Sequence, residues 1–101
     1  MVKRMTYLTV SILAKDESSF QLQVKAAKEQ GAEAVEIRTD SLDNPCPEVA
    51  AKLVDIVKKA ELPVIVICRD KAEGGVAELG LSLRLSILRE AITAGADFVD
   101  V

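Results

Sequence analysis

The residues best equipped for chemistry are Thr9 and Ser11, Glu36 and Arg38, Arg69, and Glu73 beside the Gly74-Gly75 pair. Arginine grips a carboxylate through two parallel hydrogen bonds, and glutamate accepts from hydroxyls. Two arginines with one or two carboxylates therefore suit a small, hydroxylated, anionic ligand. The competing reading is an ion-pair network inside the fold, Glu36 with Arg69 for example, that holds no ligand. Spacing leaves both readings open. The chain has no histidine, which removes His-based triads, most zinc sites and the commonest general base.

Other candidates carry less. Gly74-Gly75 lacks the pattern of a dinucleotide fold or a P-loop and reads as a flexible loop. Lys71 beside it reads as solvated, as do Lys58 and Lys59 on a helix face. Asp40 reads as a loop-capping acid at a strand end, structural rather than catalytic. Cys46 and Cys68 have no spacing that suggests a disulfide or a metal site, and read as two reduced thiols.

These residues need strands to carry them. Residues 34–40 alternate, with Val35, Ile37 and Thr39 on one side and Glu36, Arg38 and Asp40 on the other, the mark of a strand with two unlike faces. A first strand is expected over 7–12, with Thr9 and Ser11 sharing a face. A third, apolar almost throughout, is expected over 64–69, and a fourth begins at 97–101. Phe20, Val24 and Ala27 recur at helical spacing between caps at 16–19 and Gly31. Pro47 opens a second helix with a stripe of Val49, Leu53, Ile56 and Ala60. Leu81, Leu85, Leu88 and Ile92 mark a third, which Gly95 ends. Residues 71–76 read as a loop.

The order is β-α-β-α-β-α-β, an α/β pattern of parallel β/α repeats with right-handed crossovers. Two architectures fit. One is a small open doubly wound sheet; the other is the first half of a (β/α)8 TIM barrel, four strands and three helices, as an open half-barrel. In both, a site forms at the carboxyl ends of the strands. The stretches 31–37 and 95–101 match in character at every position, which would place Asp100 in the role of Glu36. A generic helix-to-strand turn would give the same match. The fourth strand stops at an apolar, unfinished edge, so the chain is expected to be completed by a missing carboxy-terminal half or to form a homo-oligomer.

The 101 residues suffice for one domain, and half of them are apolar. The net charge of −3, with signs mixed along the chain, offers no basic patch for nucleic acid. No run of apolar residues is long enough to span a membrane, and Lys15 and Asp16 interrupt any signal core. The reading is of a cytoplasmic protein.

At these same residues the chain resembles the type I dehydroquinate dehydratases. Glu-Ile-Arg-Thr-Asp at 36–40, Val-Ile-Cys-Arg at 66–69 with Glu73-Gly74-Gly75, and Ala-Asp-Phe-Val-Asp-Val at 96–101 carry the likeness. The resemblance implies a (β/α)8 barrel, of which this chain covers the first half. It implies a lyase of the shikimate pathway that dehydrates 3-dehydroquinate to 3-dehydroshikimate through a lysine Schiff base, with no metal or cofactor. Ser11, Glu36, Arg38, Arg69 and Glu73 match substrate-binding positions. The family's catalytic histidine and lysine lie on its fifth and sixth strands, so the resemblance assigns no catalytic residue here and implies that the chain alone is inactive. The alternative is a non-catalytic half-barrel that self-associates or binds a small hydroxylated carboxylate.

Overall fold

The computed structural model describes residues 8–69 and 80–100. The expected elements are present: β1 (Thr9–Ile12), α1 (Glu17–Glu29), β2 (Ala34–Arg38), α2 (Pro47–Lys59), β3 (Val64–Ile67), α3 (Leu81–Ala94) and β4 (Phe98–Asp100), with a 3-10 turn at Thr39–Ser41. The strands are shorter than the alternation suggests. Thr39 and Asp40 leave β2 and enter the turn, so Asp40 does not share a strand face with Glu36 and Arg38. Tyr7 and the loop at 71–76 lie outside the described residues.

The helices start and stop for local reasons. Asp16 caps α1, its carboxylate accepting the Ser19 N–H at 2.8 Å. Phe20, Val24 and Ala27 are its buried face, as their spacing predicts. Pro47 occupies the first turn of α2, where a missing N–H costs nothing. Gly31 and Gly95 follow their helices at φ +93° and +108°, a left-handed conformation that glycine takes without a Cβ clash.

All four strands run parallel in the order β1-β2-β3-β4. Right-handed crossovers that always advance in one direction put every helix on the same face. The burial agrees. Val10, Ile12, Val35, Ile37, Val64, Val66 and Val99 pack into one core with buried residues of all three helices. Thr9, Ser11, Phe98 and Asp100, on the other face, are exposed. A doubly wound sheet would carry helices on both faces, so that alternative fails.

The stagger of the strands is also diagnostic. Each helix ends at a left-handed residue: Gly31, Glu61 or Gly95. Val35, the fourth residue after Gly31, pairs with Val64, the third after Glu61. Ile65, the fourth after Glu61, pairs with Phe98, the third after Gly95. The steps from β2 to β3 and from β3 to β4 thus each shift by one residue. A shift of roughly one residue per strand is the shear that closes an eight-stranded barrel. The fold is α/β, a half-barrel of parallel β/α repeats.

The matching stretches at 31–37 and 95–101 share more than a turn. Glu33 accepts the Leu8 N–H at 3.1 Å while its own N–H donates to the Leu8 carbonyl at 2.8 Å. Asp97 accepts the Val64 N–H at 2.9 Å while its own N–H donates to the Val64 carbonyl at 3.0 Å. Each carboxylate staples its strand to the start of the one before. Glu36 lies across from Ile65, and Ile65 from Phe98; Asp100 lies in the row of Arg38 and Ile67. Glu36 and Asp100 each lie five residues past a left-handed glycine, so the stagger leaves them at equivalent positions of the repeat.

The third helix departs from its predicted stripe. Ile87, Leu88 and Ala91 face the core, whereas Leu81, Leu85 and Ile92 are exposed. On α2 the buried set is Ala50, Leu53, Val54 and Val57, with Val49, Ile56 and Ala60 partly covered, because the helix is wedged between α1 and α3. Among the described residues no helix is long and apolar enough to cross a membrane.

Candidate functional site

The open face of the sheet holds the polar residues, and the register aligns them. Ser11 lies beside Glu36 in the same row. Its hydroxyl donates to Glu36 Oε1 at 2.8 Å. Arg38, two residues on, projects from the same face of β2 one level nearer the carboxyl end.

Arg38 does not stand alone. Its Nε donates to Asp40 Oδ1 at 3.0 Å and one Nη to Oδ2 at 2.8 Å, a two-pronged charge-assisted pair. The arginine side chain is 12% exposed and the aspartate 0%. The hydrogen bond to Asp40 holds the arginine pKa above its ordinary value, and the nearby charges of Asp40 and Glu36 push the same way. Asp40 Oδ1 also accepts the Arg69 N–H in a longer contact of 3.4 Å.

The 3-10 turn binds three strand ends with three consecutive side chains. Thr39 donates from Oγ1 to the Ile67 carbonyl at 2.9 Å, within the protein. Ser41 Oγ reaches the Ala14 carbonyl at 2.9 Å and the Arg38 carbonyl at 2.7 Å. Asp40 connects the tips of β2 and β3. Arg84, on α3, adds an Nε donor to the Cys68 carbonyl at 3.2 Å just past β3. The rim is thereby held on its helix side while the face toward Ser11 and Glu36 stays open.

Of the five candidates, the structure brings together Ser11, Glu36 and Arg38. Arg69 joins through its backbone, with an exposed side chain. Glu73 lies outside the described residues. The acid partner of Arg38 is Asp40, and Glu36 engages Ser11, so the Glu36–Arg69 pair considered above is not among the described ion pairs. The formal charges of Glu36, Arg38 and Asp40 leave one negative. Such a cluster suits ligand hydroxyls, which can donate to Glu36 and accept from Arg38. Both cysteines are free; burial pushes the Cys68 thiol pKa up, which disfavours the reactive thiolate.

Sequence reasoning undervalued Asp40 and missed Thr39, Ser41 and Arg84 as rim residues. The available signal was the run Thr-Asp-Ser directly after a strand. Three short polar side chains there favour a turn that bonds back to backbone.

The profile of the type I 3-dehydroquinase family matches residues 8–101. The chain belongs to the type I 3-dehydroquinases. It is 35% identical over 103 residues to the bifunctional 3-dehydroquinate dehydratase/shikimate dehydrogenase of Arabidopsis thaliana, a match covering 100% of this chain and 16% of that protein. It is 39% identical over 80 residues to the 3-dehydroquinate dehydratase of Methanosarcina acetivorans, covering 76% and 33%. The crystal structure of the 3-dehydroquinate dehydratase from Aquifex aeolicus VF5 superposes with a TM-score of 0.80 at 26% identity, over 95% of this chain and 41% of that one. This 3-dehydroquinase chain therefore spans well under half the length of the relatives it matches.

Proposed function

We propose that this chain is one half of a barrel that dehydrates 3-dehydroquinate to 3-dehydroshikimate in the shikimate pathway, and that alone it binds without reacting. The observation that carries this reading is the Ser11–Glu36–Arg38 cluster, on the open face of a sheet staggered for an eight-stranded ring. Glu36 and Ser11 would hold ring hydroxyls and Arg38 a ligand oxygen, with Arg69 at the same rim.

The elimination needs an amine to form an iminium with the substrate carbonyl, and a base for the neighbouring proton. The chain has no histidine, and none of the described strands carries a lysine. Three lysines already have other partners: Lys28 on the Ala60 carbonyl, Lys58 on Asp97 and Lys59 on Asp55. The Schiff-base lysine and acid/base histidine that the resemblance implies would come from the complementary half. Borohydride reduction in the presence of 3-dehydroquinate, followed by mass spectrometry, tests this. No adduct is expected on this chain; a covalent adduct would overturn its inactivity.

A second reading, self-association without catalysis, is favoured by one observation. Phe98 is 67% exposed on the open face, beside the β4 edge. A two-fold axis along the strands would place β4 of one copy against β1 of the next. The exposed Leu81, Leu85 and Ile92 of α3 argue for the complementary half instead. They present an apolar face that a further helix packed beside α3 would cover. Light scattering separates the two: a monomer at high concentration counts against self-association.

A further inference from the structure

We propose that Asp40 is a positioning residue: its enclosed carboxylate orients the Arg38 guanidinium and couples it to the tip of β3, so that the cation is aimed before any ligand arrives. The inference rests on the reading above, that this rim binds a hydroxylated carboxylate.

Burying an ion pair is a weak way to stabilise a fold, since desolvation offsets most of the attraction. What a two-pronged pair supplies is geometry. With Nε and one Nη both committed to Asp40, rotation of the guanidinium plane breaks both bonds at once. The acid in turn has little freedom. Thr39 and Ser41, on either side of it, are bonded to the ends of β3 and β1, and its own Oδ1 meets the Arg69 amide. Arg38 thus sits on a carboxylate held by three strand tips. Nη1 has no acceptor among the described residues and is the edge left for a ligand oxygen. Asp40 itself is 0% exposed, so no ligand reaches it; its effect must pass through Arg38.

The test uses this chain uniformly labelled with nitrogen-15. Hydrogen exchange at Arg38 Nε is compared with exchange at Arg84 Nε, which bonds to a backbone carbonyl and serves as an internal reference. In the native chain Arg38 Nε–H is expected to exchange slowly. In Asp40→Asn it should speed up about tenfold or more, as expected for a lost charge-assisted bond, with Arg84 unchanged; Asp40→Glu should restore part of the protection. Titration with 3-dehydroquinate, read at the Ser11 and Glu36 amides, should weaken by a similar factor in Asp40→Asn. Equal acceleration at both arginines would mean general loosening and would overturn the proposal. So would native Arg38 Nε–H exchanging as fast as free arginine, an outcome that needs no variant to fold. If the native chain does not respond to 3-dehydroquinate, the functional reading fails, while the exchange comparison still decides the role of Asp40.

Discussion

At the amino ends of the strands, Glu33 and Asp97 accept backbone N–H groups from Leu8 and Val64. At the carboxyl ends, Asp40 accepts one from Arg69 and also holds Arg38. The chemistry is similar and the surroundings are not. Asp97 is 36% exposed and shares its charge with Lys58 and water, while Asp40 is sealed. A partly hydrated carboxylate can fasten two strands but aims nothing, because solvent competes for every bond it makes. A sealed one has no substitute for its partners, so its geometry is imposed on them. The two ends of the sheet thus hold their partners differently, through screened contacts at one and a sealed pair at the other.

Breaking the sealed end should cost most. Asp40→Ala strands the Arg38 charge in a half-closed rim and is expected to lose about 3–5 kcal/mol in urea denaturation. A loss under about 1 kcal/mol would mean that water already serves Arg38, and the contrast between the ends would collapse. Thr39→Val keeps the shape but removes the hydroxyl bonded to the Ile67 carbonyl, leaving that acceptor unmet; about 1–3 kcal/mol should be lost by the same measurement.

At the amino end the effects should be smaller. Gly95→Ala meets no steric obstacle, since the nearest atom to an added Cβ is the Lys58 chain at 4.0 Å, so only the backbone conformation is penalised, by about 1 kcal/mol. Glu61 is the revealing counterpart. It holds φ +62° without being glycine, and Glu61→Gly should stabilise by up to about 1 kcal/mol in thermal melts.

Asp97→Asn should cost less than about 1 kcal/mol, because the staple is exposed and screened. Its signature is in pH. The Val64 N–H, then Lys58, lower the pKa of folded Asp97. A lowered folded pKa stabilises above the unfolded value of about 3.9 and loses that contribution as pH falls through the folded value. Native and variant stabilities measured from pH 6 downward, roughly to pH 2, should therefore converge in acid. A gap that persists there would show that the hydrogen bond matters and the charge does not.

Local pattern was legible wherever one residue type has one physical use. Asp16, Pro47, Gly31 and Gly95 mark helix ends because capping and left-handed turns admit few alternatives. The alternation in β2 placed Glu36 and Arg38 on one face correctly. The α3 stripe was misread because Leu81, Leu83, Leu85, Ile87, Leu88 and Ile92 surround that helix with apolar residues. Periodicity cannot choose among several stripes; packing on α2 chose Ile87, Leu88 and Ala91. Asp40 was legible as an acid at a strand end, but its place on the alternating face was not. Alternation continued through Thr39 in sequence, but the chain turned there.

The β/α order, the helix ends and the polar residues that line one face could be read from the residues alone, since these follow from nearest-neighbour sterics and side-chain period. Three features needed the assembled sheet: the helices share one side, the strands step by one residue, and Asp40 rather than Glu36 holds Arg38. Those facts depend on how distant strands register against one another. Register is set by the packing of the whole sheet, which no local stretch encodes.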